Sequence, residues 1–307
     1  MRFTTNTKPG LLWTACVVLA IVCQAQAQSS AALAVPDIDV IRVDTTLVTV
    51  NVSVTDARNR HFQGLKPEDF QLMDEGKTVR PEFFDSEGPE SIVFVIDVSS
   101  SMRGEKWQNL RAGLKRFLKK GREGSDYTLI AFNEKPRLIV TSVNAEQLWQ
   151  SFNSLQPYGE TALYDALILG LKTLERVPQR HRALVLLSDG EDNSSQAGLA
   201  LVEQETLAHR ATIYPIGILL DPRLMPREVN GRKLLNELAA ATGGIVLFPE
   251  AYRIRDVLEM ISADLSGQYS LSYYPPDKTA GWRRVQVSIA QNSNRLNVRY
   301  QQRYLMR

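Results

Sequence analysis

Cysteine is nearly absent from this chain: two in 307 residues, Cys16 and Cys23, both close to the N-terminus. That excludes a disulfide framework for the body of the protein, so the fold has to rest on its apolar core, and about 280 residues can bury one adequately. Histidine is almost as scarce. His61, His181 and His209 have no metal-ligand spacing among them and read as surface or cap residues. No apolar run is long enough for a comfortable transmembrane helix. Charge of one sign is missing too: with a net charge of +2, nothing points to nucleic acid or a membrane surface. No G-x-S-x-G elbow and no glycine-rich loop after a strand is present, which removes two common signatures of hydrolases and nucleotide enzymes.

What is there is an ordinary globular composition, 44% apolar and 23% charged, and a length that suggests about two domains. Residues 1–27 have the form of an export signal. Arg2 and Lys8 precede the apolar stretch Leu11 to Val22, and Ala25-Gln-Ala27 supplies an A-x-A cleavage site. Cleavage there would remove both cysteines. A lipoprotein anchored at Cys23 is the alternative, disfavoured because Val22 stands where a small residue belongs. A short linker, 28–38, follows.

Residues 39–88 are β-rich. Val48, Val50, Val52 and Val54 alternate with polar residues, the pattern of a half-buried antiparallel strand. Phe70-Gln-Leu72 reads as another strand, with a turn at Asp74-Glu-Gly76. Residues 268–307 show the same period in Tyr269, Leu271 and Tyr273, in Val285, Val287 and Ile289, and in Leu296, Val298 and Tyr300. Neither segment is large enough for a core of its own. The expectation is one small β-sandwich assembled from the two ends, the competing layout being two separate appendages. Between them, residues 89–267 alternate strand and helix signals, which predicts a doubly wound, mainly parallel sheet with helices on both faces. A last strand is expected at Ile245 to Phe248.

Within that α/β segment, the apolar run Ile92 to Ile96 ends abruptly in Asp97-Val-Ser99-Ser-Ser101. Alternate residues of an extended segment can face one point, and three oxygen-bearing side chains there suit a hard divalent cation. The place fits, since open α/β sheets bind ligands beyond the carboxyl ends of their strands. Gly159-Glu-Thr161 adds a threonine at a loop-to-helix junction, and the strand Ala183 to Ser188 ends in a second carboxylate, Asp189. A hydroxyl-capped helix start is the plainer reading of the serines alone.

Asp97, Ser99, Ser101, Thr161 and Asp189, taken together, resemble the metal-ion-dependent adhesion site of von Willebrand factor A domains. The resemblance spans roughly Ser91 to Gly267. The layout, with its closing Tyr269-Ser-Leu-Ser-Tyr-Tyr-Pro275, resembles a bacterial family of secreted proteins built around such a domain. It implies that Ser99, Ser101 and Thr161 bind Mg²⁺ (or Mn²⁺) directly and that Asp97 and Asp189 act through water. It further implies a non-catalytic, secreted or periplasmic protein that presents its metal to an acidic residue of a partner protein. Glu160 departs from the family pattern, which often has glycine there. Two other readings stay open: a metal-dependent phosphohydrolase using Asp97, and a structural protein with a vestigial site. Glu191 to Ser195 reads as a solvated acidic loop, and Asp165 is assigned no ligand role.

Overall fold

The computed structural model describes residues 47–177, 181–218, 226–290 and 296–306. The expected export signal and linker lie outside these residues.

Three sheets make up the described fold. The first contains β5 (Glu90–Asp97), β6 (Asp126–Phe132), β7 (Pro136–Val143), β8 (His181–Ser188) and β9 (Thr212–Gly217), in the order β7-β6-β5-β8-β9. Four of the strands are parallel, and only the β7 edge is antiparallel. β5 lies in the middle and every residue of it is buried, which is why Ile92 to Ile96 run apolar without interruption. Its side chains alternate between two cores, Ile92, Phe94 and Ile96 on one face and Val93 and Val95 on the other. Helices α1 (Glu105–Lys119) and α2 (Ala145–Asn153) cover the first face together with α6 (Ile254–Ser266). Helices α3 (Leu163–Leu174), α4 (Leu199–Ala208) and α5 (Pro226–Thr242) cover the second. A doubly wound sheet flanked by helices was expected, and that is the fold. Each fully buried leucine or isoleucine in these layers contributes about 1.5–3 kcal/mol.

One expected strand does not form. Ile245 to Phe248 makes only an isolated bridge, Leu247 to Ile216, beside the β9 edge. The segment is held close by Gly243-Gly244. A Cβ at Gly244 would come 1.8 Å from the Ile213 carbonyl oxygen, and one at Gly243 2.5 Å from the Tyr300 Cα. The backbone is therefore pinned where two parts of the fold meet and has no freedom to extend a ladder.

The other two sheets form a small β-sandwich. One has the order β12-β1-β10-β4 and the other β13-β11-β2-β3. β1 (Val48–Asp56), β2 (Phe70–Asp74), β3 (Lys77–Val79) and β4 (Phe83–Asp85) precede the α/β segment. β10 (Gln268–Tyr273), β11 (Gly281–Ile289), β12 (Leu296–Arg299) and β13 (Arg303–Met306) follow it. Each sheet mixes strands from both groups, β1 pairing with β10 and β2 with β11. Both inner faces share one core that includes Val50, Val52, Leu72, Leu271, Val285 and Val287.

Asp74 is not a turn residue. It is fully buried in the sandwich and accepts from Tyr304 Oη (2.8 Å), Tyr273 Oη (3.2 Å) and Arg283 Nε (3.2 Å). Asp74→Ala leaves two buried phenols without their acceptor and the buried Arg283 guanidinium with Asp277, 3.4 Å from its Nη1, as its remaining acidic partner, and such a break costs about 3–5 kcal/mol. Urea denaturation is expected to give a loss of that size; a loss under ~1 kcal/mol would contradict this role.

Of the three histidines, His209 is a helix cap, as one of the expected readings has it, at the C-terminal end of α4, but none of them lies on the surface. His181 and His209 are each 3% exposed, and His61 is mostly covered. His181 starts β8, and its Nε2 lies 3.3 Å from an Asp85 carboxylate oxygen on β4, so it sits where the sheet meets the sandwich. Burial holds its pKa below 6.5; the Asp85 charge opposes that shift and the Arg122 charge adds to it. A base kept neutral in the fold takes up a proton on unfolding. Its contribution is present above the unfolded pKa and is lost as pH falls below 6.5. Denaturation midpoints measured from pH 7.5 down to 5 are expected to fall less steeply in His181→Leu than in the parent chain, and parallel slopes would refute this.

Candidate metal centre

Asp97 ends β5 and has no exposed surface. Its Oδ1 accepts the Ser99 backbone N–H at 2.8 Å, and its Oδ2 accepts the Ser188 hydroxyl at 3.0 Å. The first bond turns the chain just past the strand, so that Ser99 and Ser101 come together with their hydroxyl oxygens 3.0 Å apart. Ser101 in turn donates to Asp189 Oδ2 at 2.7 Å. Four of the five expected residues, Asp97, Ser99, Ser101 and Asp189, thus lie in one hydrogen-bonded chain across the ends of neighbouring strands β5 and β8. Asp97 and Ser99 are buried, Ser101 is exposed and Asp189 is half-buried, so the chain reaches solvent at Ser101.

Thr161 is buried and its hydroxyl is not part of that chain, but its loop is tied to it. The Gly159 carbonyl accepts from Ser100 N–H at 3.0 Å, and the Val98 carbonyl accepts from Tyr158 N–H at 2.7 Å. Thr161 N–H donates to Asn193 Oδ1 at 2.8 Å, and its carbonyl accepts from the backbones of Asn193 and Ser194. The loops after β5 and β8 and the one before α3 are therefore knitted into a single surface.

Several residues of this surface carry no signal in the sequence. Ser188 bridges Asp97 and the Gly190 N–H. The Asn133 carbonyl accepts from Ala162 N–H at 2.7 Å. The acidic loop is partly structural rather than merely solvated. Asp192 Oδ1 accepts from Tyr164 N–H and Ser195 Oγ from Asp165 N–H, supplying acceptors to the first turn of α3. Asp165 answers by accepting from the N–H groups of Gln196 and Ala197. A helix end capped from 30 residues away leaves no local motif to read.

The electrostatics of the site are strained in favour of a cation. Burial, and next the nearby charge of Asp189, push the Asp97 carboxyl up to about 7, against the hydrogen bonds from Ser99 and Ser188. Among the described residues, no group of three or more His, Cys, Asp or Glu side chains could hold a metal. Any metal here has to rely on hydroxyl oxygens. The donor set fits a hard ion of that kind: Mg²⁺ takes oxygens at about 2.0–2.1 Å in an octahedron, which sets adjacent donors about 3 Å apart. The serine oxygens have that spacing.

Gly159 has φ +84°, and a Cβ there would fall 2.1 Å from Glu134 Oε1. Gly159→Ala is expected to cost about 1–2 kcal/mol through the left-handed backbone alone. The glutamate can swing aside but the dihedral cannot. The penalty should therefore survive in a Glu134→Ala background, and its disappearance there in chemical denaturation would show that the contact rather than the backbone sets it.

The class is thus a parallel α/β domain with an oxygen-rich loop site at its strand ends, set into a β-sandwich. Residues 92–191, about a third of the chain, match the family model described as von Willebrand factor type A domain. The chain is 28% identical over 145 residues to inter-alpha-trypsin inhibitor heavy chain H3 of Mesocricetus auratus, a match covering 42% of this chain and 16% of that protein. It spans about a sixth of the length of such relatives. Among solved structures it is similar to a von Willebrand factor type A protein from Catenulispora acidiphila, with a TM-score of 0.47, 15% identity and coverage of 86% of this chain and 74% of that one. It is also similar to the vWF domain of the type V pili tip protein Mfa5 from Porphyromonas gingivalis, with a TM-score of 0.45, 15% identity and coverage of 57% and 94%.

Proposed function

We propose that this chain is an exported, non-catalytic protein-binding module whose contact with its partner runs through a divalent cation at the Asp97 site. The observation that carries this is the continuous chain from buried Asp97 through Ser99 and Ser101 to Asp189, which reaches the surface at Ser101. The match of residues 92–191 to a domain type commonly used for protein interaction supports it. Among the described residues no helix is long and apolar enough to cross a membrane.

Ser99, Ser101 and Thr161 would hold Mg²⁺ or Mn²⁺ directly, with Asp97 and Asp189 balancing its charge through water. The bound ion supplies a coordination position for one carboxylate oxygen of the partner. Ser188 and the Ser99 N–H orient Asp97, while the Ser100–Gly159 bond keeps the threonine loop in place. Two side chains beside the site suit a partner surface. Tyr158 is 48% exposed, and Arg103, tethered by its Nε to the Pro157 carbonyl at 3.0 Å, is exposed as well. Tyrosine and arginine are the usual anchors of protein interfaces. Glu160 is also exposed, a solvated neighbour of the site.

The burial of Asp97 speaks against a phosphohydrolase. An aspartate nucleophile must meet its substrate, whereas both oxygens of Asp97 are engaged and none of its surface is open.

Mg²⁺ at about 100 times its Kd should stabilise the chain by about 2.7 kcal/mol, seen as a rise in the thermal midpoint that EDTA reverses. The pair Ser99→Ala and Ser101→Ala should abolish that rise without unfolding the protein. Partner capture from the cell envelope should fail in EDTA and with Asp97→Ala. A chain whose midpoint and captured partners are indifferent to Mg²⁺ and chelator has no such site.

A further inference from the structure

A pocket beside α6 shares no lining residue with the candidate metal centre. There α5, α6 and the segment after Gly244 meet β1, the turn that follows it, and β12, around a cavity of about 580 Å³. Small-molecule sites occupy about 300–1,000 Å³ and favour junctions between domains. Ala239, Ala240, Leu247, Met260 and Ala263 form an apolar wall, and Met260 is 53% exposed. Asp264, Arg299 and His61 form a polar end.

The chemistry of that end selects the ligand. Asp264 is 1% exposed and already accepts from several side chains. Its Oδ1 takes the Ser53 hydroxyl at 3.1 Å and an Arg299 Nη2 hydrogen, with His61 Nε2 at 3.3 Å; its Oδ2 takes the Tyr214 hydroxyl at 2.7 Å. A cationic ligand would have to compete with the donors already on Asp264 and would face the charge of Arg299. Arg299 has capacity to spare. Of its five N–H donors, the two on Nη2 serve Ser53 and Asp264 and one on Nη1 reaches the Gly243 carbonyl at 3.3 Å. Among the described residues the Nε–H and the second Nη1–H have no partner, on a side chain 27% exposed. The His61 Nδ1 is buried and unpartnered as well. The permanently cationic side chain of this end is the Arg299 guanidinium, which Asp264 engages through Nη2 and leaves with two N–H donors to offer.

We propose that this cavity binds a small amphipathic carboxylate, its apolar body against Ala240, Met260 and Ala263 and its carboxylate on Arg299. The site is independent of the cation at Asp97.

Titration calorimetry of the full chain with octanoate tests this, with octan-1-ol as the uncharged probe and EDTA present throughout. Octanoate should bind saturably at one site per chain. Octan-1-ol should bind about tenfold more weakly, the effect of losing one charge-assisted hydrogen bond. Arg299→Met should erase the preference for the acid, but it also touches the Asp264 cluster. Ala240→Trp fills the cavity without touching that cluster, and it should abolish saturable binding while the unfolding midpoint holds. Octanoate that fails to saturate at millimolar concentration, octan-1-ol that binds equally well, or Ala240→Trp that binds undiminished would each overturn the proposal.

Discussion

A carboxylate with no exposed surface stands at the end of the central strand, and the local structure of the candidate metal centre follows from how it is satisfied. Asp97 needs donors because an unpaired buried charge is among the most costly features a fold can contain. It finds the backbone N–H of Ser99 and the hydroxyl of Ser188, one from its own loop and one from the neighbouring strand. The first bond shapes the turn that sets the two serines side by side. The second ties the ends of β5 and β8 together, which places Asp189 within reach of Ser101. What remains is a carboxyl raised first by its burial and next by the charge of Asp189, an arrangement that a cation would offset.

The sandwich uses the same device for a different end. Asp74 gathers Tyr273, Tyr304 and Arg283 from strands far apart in sequence, and Asp264 gathers Ser53, Tyr214 and Arg299. Both are buried carboxylates surrounded by donors from several elements. Such hubs add little net energy relative to apolar packing, but they are intolerant of misplacement. They sit where strands from before and after the α/β segment have to meet. The pairing of β1 with β10 and of β2 with β11 closes very long loops. The hubs together with the shared valine-rich core hold that arrangement.

The elements that could be read in advance are those with a strong period. The middles of β5 and β8, Ile92 to Ile96 and Ala183 to Leu187, announce themselves as unbroken apolar runs because both faces are buried. β1 shows its alternation because one face is the sandwich core. The serines and aspartates of the metal loop are legible because their spacing is local. Misreadings fall where a neighbour decides. His181 looks like a surface residue until β4 brings Asp85 against it. Asp74 looks like a turn residue until three donors converge on it. Ile245 to Phe248 is apolar enough for a strand, yet Gly243 and Gly244 are wedged against Tyr300 and Ile213 and permit only a single bridge.

By itself the sequence determined the layered α/β order, the two β-rich flanks and the identity of the oxygen-bearing residues, since period and spacing are properties of neighbours along the chain. Only the tertiary structure decided which of those oxygens touch, which histidines are buried, how the flanks interleave and that a cavity opens beside Arg299. Those outcomes depend on which distant groups must satisfy one another once water is excluded, and no local pattern encodes that.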